Sequence, residues 1–169
     1  GHTLGLRHDG TTTGGEYYEG HGDWASIMGR STSAKALVTQ WSKGEYTNAN
    51  NDEDDIVEIA MYTGFREDDH VCTRLVGSTS TTDGAIGAGG DVDVFAVDLG
   101  VGPASVLLRP DLDAGSNLHA RVTVRDSVGV AMEGSPAVAG NWTSTVALDV
   151  SSPGRYTIEV EPIGWLTPA

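Results

Sequence analysis

The sequence predicts an α+β protein in which loops and short helices come first and an antiparallel β-sandwich follows. Two observations predict this. One short segment of the first part carries helix signals, and the second part alternates apolar and polar residues between turn signals. A period of two is the pattern of strands that bury one face. We therefore place a first domain at 1–66, a linker with a first strand region at 67–90, and the sandwich at 91–164.

The helix signals of the first part lie at residues 51–62, after a stretch rich in Gly, Thr, Tyr and Trp that is typical of loops around a site. Asn51 or Asp52 can cap this helix, and Gly64 can stop it. The acidic residues of its first turn face the positive end of the helix dipole. We expect one short helix here.

The strands of the second part are predicted from three alternating runs. In the first run the polar residues, such as Arg121 and Thr123, face away from the core. Turn signals separate the runs at 113–116, 126–129 and 151–154. The residues predicted to face the core are Leu118, Ala120, Val122, Val124, Val146, Leu148, Val150, Tyr156, Ile158 and Val160.

Composition and charge narrow the class of partner. The chain has 169 residues, a net charge of −14 and a sequence pI of about 4.4. A duplex nucleic acid or an anionic membrane surface would be repelled, because binding either one depends on Lys and Arg. Cys72 is the single cysteine, so an internal disulfide is excluded. We expect a monomer that lacks both a membrane span and a nucleic-acid partner.

The first ten residues carry the strongest chemical motif, H-x-x-G-x-x-H, formed by His2, Gly5 and His8. This is the second half of the zinc motif H-E-x-x-H-x-x-G-x-x-H. Histidines six apart on a continuous helix point about 240° apart, so the helix has to break between them. Glycine tolerates the positive φ of such a break. Spacing alone leaves a second interpretation open, in which both histidines are merely solvated surface residues.

A methionine in a turn-like context follows this motif. Met28 stands twenty residues after His8, in the segment Trp24–Gly29. The segment resembles the Met-turn of metzincins, in which a methionine lies beneath the zinc histidines. Core packing is the alternative role for Met28. The segments Glu16–Trp24 and Gln40–Tyr46 are similar to bacterial secreted members. The first part therefore resembles the reprolysin-like (adamalysin-type) branch of the metzincin zinc metalloproteases.

This resemblance covers residues 1 to about 65 and implies a zinc site. In that branch an aspartate commonly follows the third histidine, as Asp9 follows His8 here. By the resemblance, His2 and His8 are zinc ligands, and Gly5, Asp9 and Met28 support the site. Three imidazoles and a water form an open catalytic zinc centre. His21 lies outside the motif and is interpreted as a loop histidine near the cleft.

The resemblance places two functional residues ahead of Gly1. The first histidine of the motif would stand three residues before Gly1, and the general-base glutamate two residues before it. We therefore expect a fragment of a secreted zinc metalloendopeptidase that acts on protein or peptide substrates. As given, the chain would hold no catalytic base and would be inactive.

The second half resembles the bacterial pre-peptidase C-terminal domain, a β-sandwich found behind secreted proteases. The likeness covers about 74–164 and is a pattern of strands and turns, for example at Asp91–Phe95 and Pro153–Val160. It implies a module that assists secretion or substrate attachment. A non-catalytic secreted binding or attachment module is accordingly the rival function for the whole chain.

The second half also contains candidate calcium ligands. Carboxylate oxygens are the hard ligands that Ca²⁺ prefers. The alternative, solvated loop acids, is expected in so acidic a protein. The acids considered are Asp83, Asp91, Asp93 and Asp98.

Overall fold

The computed structural model describes residues 1–30, 38–70, 73–87, 90–111, 118–133 and 143–163. Cys72 and the turn signal at 113–116 lie outside these ranges. The chain divides into two compact units, Gly1–Phe65 and Arg66–Gly164.

The first unit contains short elements joined by loops. A 3-10 turn spans His2–Leu4, strand β1 spans Trp24–Ser26, strand β2 spans Val38–Gln40, and helix α1 spans Asp55–Thr63. Strands β1 and β2 pair in parallel. They occupy a part of the chain where only loops and short helices are expected. Three-residue strands are too short for an alternating pattern to be recognised in the sequence.

Helix α1 begins later than the sequence predicts. Its N-cap is Asp54, whose side chain accepts a hydrogen bond from the Val57 N–H, and it ends at Gly64, as predicted. The expectation that Asn51 or Asp52 caps the helix is wrong. The Asn51 side chain instead accepts the Glu53 N–H at 3.2 Å, within the turn that leads into the helix.

The second unit is built from two sheets. Its strands are β3 (Arg74–Val76), β4 (Asp93–Leu99), β5 (Gly102–Leu108), β6 (Ala120–Arg125), β7 (Ala131–Glu133), β8 (Ser144–Val150) and β9 (Gly154–Pro162). One sheet has the order β3-β4-β9-β6-β7, and β5 pairs with β8 in the other. All pairs in this unit are antiparallel except β3 with β4, which is parallel.

The core of the second unit lies where the two sheets meet. The alternating residues predicted to face inward do so in all three runs, with Val122 and Val124 at 0% exposure and Ile158 partly buried. Thr123, predicted to face outward, is buried as well. Strand β6 lies between β9 and β7, and Thr123 is the register partner of Glu159 on one flank and of Glu133 on the other.

The predicted α+β class is wrong, because the protein is mostly β. Among the described residues, nine strands stand against one α-helix of nine residues. The segment at 51–62 is the one place where caps and a stop signal coincide. Elsewhere in the first unit, glycines with positive φ, such as Gly5, Gly15 and Gly20, interrupt the chain before a helix can propagate. Within the described ranges, no helix has the length and apolar character needed to cross a membrane.

Candidate functional site

His2 and His8 converge in the first unit. Their Nε2 atoms are 2.8 Å apart, although six residues separate them. The predicted break between them is present, since Gly5 has a φ of 87° and donates its N–H to the His2 carbonyl. This left-handed residue reverses the chain after the 3-10 turn. Both imidazoles therefore point toward one position.

The other ring nitrogens are held by hydrogen-bond acceptors. His2 Nδ1 lies 2.8 Å from the Leu6 carbonyl oxygen, and His8 Nδ1 lies 2.5 Å from Glu16 Oε1. A carbonyl or an ionised carboxylate only accepts, so each Nδ1 has to carry the proton. In neutral rings the two Nε2 atoms then direct their lone pairs at each other. Such an arrangement requires a positive charge between them, which a shared proton or a metal ion supplies.

The spacing of the two nitrogens fits a metal after a small adjustment. Two nitrogens at about 2.0–2.1 Å from a tetrahedral zinc stand about 3.3 Å apart. The rings would therefore separate by about 0.5 Å from their present positions. Accepting partners on Nδ1 are the usual outer contacts of metal-bound histidines, because they fix the tautomer that leaves Nε2 as the ligand.

Met28 lies directly against the start of the histidine segment. Its side chain is 7% exposed, and its Sδ is so close to Gly1 that a Cβ added there would lie 2.1 Å from the sulfur. The Asp9 N–H donates to the Met28 carbonyl at 3.0 Å, which ties the turn to the residue after His8. Met28 is thus packed against the backbone at the start of the histidine segment.

Asp9, the residue that follows His8, is buried. The residue is 1% exposed, and burial raises the pKa of its carboxyl group. The Ser26 hydroxyl and the Asn51 amide lie beside the carboxyl and oppose this rise, whereas the charge of Glu53 adds to it. The Asn51 amide donates to Asp9 Oδ1 at 3.5 Å, so the carboxyl group is linked to the turn that precedes helix α1.

His21 stands apart from the pair. Its Nδ1 is 2.7 Å from the Tyr18 hydroxyl, and its ring packs at 5.3 Å from the Trp24 ring. Glu16 and Tyr17, by contrast, contact His8 and were missed by sequence reasoning. The Tyr17 ring lies 4.4 Å from that of His8. No motif spacing marks these two residues, because a loop brings them to the site.

A second cluster of ligand-type side chains lies in the second unit, where the segment before β3 meets the start of β4. The oxygens of Asp68, Asp91 and Asp93 lie within 4.8 Å of one another, as do the ligand atoms of Asp69, His70 and Asp93. Asp93 is 3% exposed, and its Oδ1 is buried with no hydrogen-bond partner. Burial is the largest cause that raises the pKa of Asp93, and the three neighbouring aspartates add to it.

Two of the four candidate calcium ligands belong to this cluster and two do not. Asp91 and Asp93 belong to it. Asp98 lies at the other end of β4, where it pairs with Arg155 at 2.9 Å. Asp83 contacts a member of the cluster through its backbone carbonyl oxygen, which lies 2.9 Å from His70 Nε2. The members that were missed are Asp68, Asp69 and His70, which stand in the acidic run Glu67–His70.

Comparisons with known proteins give one distant likeness. No protein-family model and no curated protein matches the chain. One similar solved structure is the pre-peptidase C-terminal domain of collagenase from Bacillus anthracis, with a TM-score of 0.41 and 14% identity over 54% of this chain and 83% of that chain.

Proposed function

We propose that the first unit forms part of the zinc centre of a secreted metalloendopeptidase, with His2 and His8 as two of its metal ligands. The observation that carries this proposal is the pair of facing Nε2 atoms, 2.8 Å apart, whose rings are both held through Nδ1 by acceptors. A shared proton would also hold the two rings together, and zinc titration distinguishes the proton from the metal ion.

The residues of the first unit would hold a zinc ion and orient its ligands. They would not themselves take part in peptide hydrolysis. When bound, a zinc ion activates water and polarises a peptide carbonyl. His2 and His8 would hold the ion, the Leu6 carbonyl and Glu16 would orient the two rings, and Met28 packs beside Gly1. The resemblance assigns the third ligand and the general base to residues that precede Gly1. We therefore expect weak zinc binding and no peptidase activity from the 169 residues alone.

Zinc titration of the chain tests the ligand assignment. Competition with a chromophoric chelator should show weak binding that disappears in His8→Ala. The matched control is His21→Ala, which removes a histidine of the same unit that lies outside the pair. Stoichiometric, tight zinc binding would show that the ligand set is wrong, and equal affinity of His8→Ala and wild type would remove the site.

Extending the chain tests the proposed catalytic centre. Placing His-Glu-Ala before Gly1 supplies an imidazole four residues ahead of His2, one helical turn away. Zinc affinity should rise by about tenfold or more, because a third ligand fixes the geometry. A longer natural protein with His-Glu-x at this place should retain about one zinc and cleave casein. If such a protein is metal-free and inactive, the rival attachment module becomes the function of the chain.

We propose in addition that the second unit binds a calcium-type cation at Asp68, Asp91 and Asp93. The Oδ1 of Asp93 is buried and has no hydrogen-bond partner, which favours a bound cation at this place. A cation would neutralise the negative charge of the three carboxylates that converge there. Calcium at about 100 times its Kd should stabilise the protein by about 2.7 kcal/mol. Asp93→Asn should abolish the thermal shift, and Asp98→Asn, the same change on the same strand, should retain it. An equal shift in both variants would contradict this site.

A further inference from the structure

We infer that Glu16 is a positioning residue for His8, whose carboxylate fixes the imidazole so that Nε2 is presented as a metal ligand. This inference rests on the proposed zinc site. Its structural basis is the 2.5 Å contact between Glu16 Oε1 and His8 Nδ1, on the side of the ring away from His2.

A short loop brings Glu16 back to His8. The Thr11 N–H donates to the Gly15 carbonyl at 2.9 Å, and the Tyr18 N–H donates to the Asp9 carbonyl at 2.6 Å. These two backbone bonds close the loop on either side of Glu16. Gly15 has a φ of 128°, a conformation that residues with a side chain rarely adopt. These backbone hydrogen bonds thus hold Glu16 opposite His8.

The backbone at Gly10 lies close to the backbone at Gly15 and Glu16. A Cβ added at Gly10 would lie 2.5 Å from the backbone carbonyl oxygen of Gly15 and 2.7 Å from that of Glu16. Only glycine at this position allows the chain after Glu16 to pass so near the residues that follow His8. Because the loop is closed by backbone bonds and by this approach, the contact does not depend on the ion pair alone.

The ion pair by itself would be weak. The Glu16 side chain is 65% exposed, and exposed pairs contribute little to folding stability. Its effect is expected on the metal instead. A carboxylate that accepts the Nδ1 proton fixes the tautomer and increases electron density at Nε2, and losing such a partner typically weakens metal binding 10–100-fold. Tyr17, 4.4 Å from the His8 ring, limits rotation of the same ring.

Glu19 provides a matched control. It lies in the same segment, its side chain is 62% exposed, and it pairs with Arg30 rather than with a histidine. Glu16→Gln and Glu19→Gln therefore remove the same charge from similarly exposed positions. Zinc affinity should fall about tenfold in Glu16→Gln and up to about 100-fold in Glu16→Ala, with no change in Glu19→Gln. Glu16→Asp should recover part of the affinity.

Two spectroscopic measurements distinguish an effect of Glu16 on the orientation of the His8 ring from a general effect of its negative charge on zinc affinity. Bound Co²⁺ should show altered d–d absorption in Glu16→Gln but not in Glu19→Gln, because only the former changes the ligand ring. In the metal-free chain, long-range ¹H–¹⁵N spectra should show a proton held on His8 Nδ1 in wild type and a smaller occupancy of Nδ1 by the proton in Glu16→Gln.

The outcomes are distinguishable. If wild type binds zinc through His8 and Glu16→Gln binds it equally well, or if Glu19→Gln loses as much, the role of Glu16 is overturned while the zinc site stands. If wild type shows no zinc binding that depends on His8, the zinc site falls and the metal-positioning role falls with it. The tautomer spectra then still decide whether Glu16 orients the ring.

Discussion

Asp55 should make the first unit less stable as the pH rises through the weakly acidic range. The residue is 0% exposed, and burial, the largest cause, raises the pKa of its carboxyl group from 3.8 to about 6. The Ser42 N–H, 3.1 Å from Oδ2, opposes the rise, whereas the charges of Asp9 and Glu53 add to it. Below pH 3.8 the carboxyl is protonated in both states and costs nothing.

The magnitude follows from the pKa difference between the folded and the unfolded state. Between the unfolded pKa of 3.8 and the folded value of about 6 the folded state binds more protons, so the free energy of unfolding falls as pH rises. The loss is complete above about pH 6 and amounts to about 3 kcal/mol, at 1.36 kcal/mol for each pKa unit. Asp55→Asn keeps an acceptor for Ser42 and removes the charge.

Urea unfolding of wild type and variant at several pH values from about 3.5 to 7 measures this effect. The free energy of unfolding of wild type, minus that of Asp55→Asn, should decrease by about 3 kcal/mol across this range. The control is Asp52→Asn, which removes the same charge at an exposed position three residues earlier. A constant difference for Asp55→Asn would refute the reasoning.

Four further substitutions test the packing and the backbone conformation. Val122→Ala should cost about 2–3 kcal/mol of unfolding free energy because it empties a fully buried position, whereas Val128→Ala, 81% exposed, should stay within about 0.5 kcal/mol. Gly5→Ala should cost about 1–2 kcal/mol, measured by thermal unfolding, because φ is 87° there. Gly84→Ala should lower the melting temperature and abolish the response to calcium, because its Cβ would lie 2.6 Å from Asp93 Oδ2.

The strands of the second unit were predictable because burial follows the alternation of side chains. A strand such as β8 alternates buried and exposed residues along its whole length, so its register can be read directly from the sequence. Thr123 shows the limit of this reasoning. Its burial depends on strands β7 and β9 on either side, and no pattern within β6 reports which strands become its neighbours.

The candidate zinc site was predictable only for residues whose spacing along the chain determines the direction of their side chains. Histidines six apart diverge on a continuous helix, so the break at Gly5 was predictable once the zinc motif required His2 and His8 to converge. Glu16 could not be found in this way. It reaches His8 through a loop closed by backbone hydrogen bonds, and such a loop leaves no periodic signal.

The two candidate metal sites can be tested in one protein because their ligand chemistry differs. The site at His2 and His8 offers imidazole nitrogens, which suit zinc, whereas the site at Asp91 and Asp93 offers carboxylate oxygens, which suit calcium. Calcium is therefore expected to raise stability without occupying the histidine pair. His8→Ala should leave the calcium response unchanged, and Asp93→Asn should leave zinc binding unchanged. A variant that lost both responses would show that it disrupts folding, and it would then report on neither site.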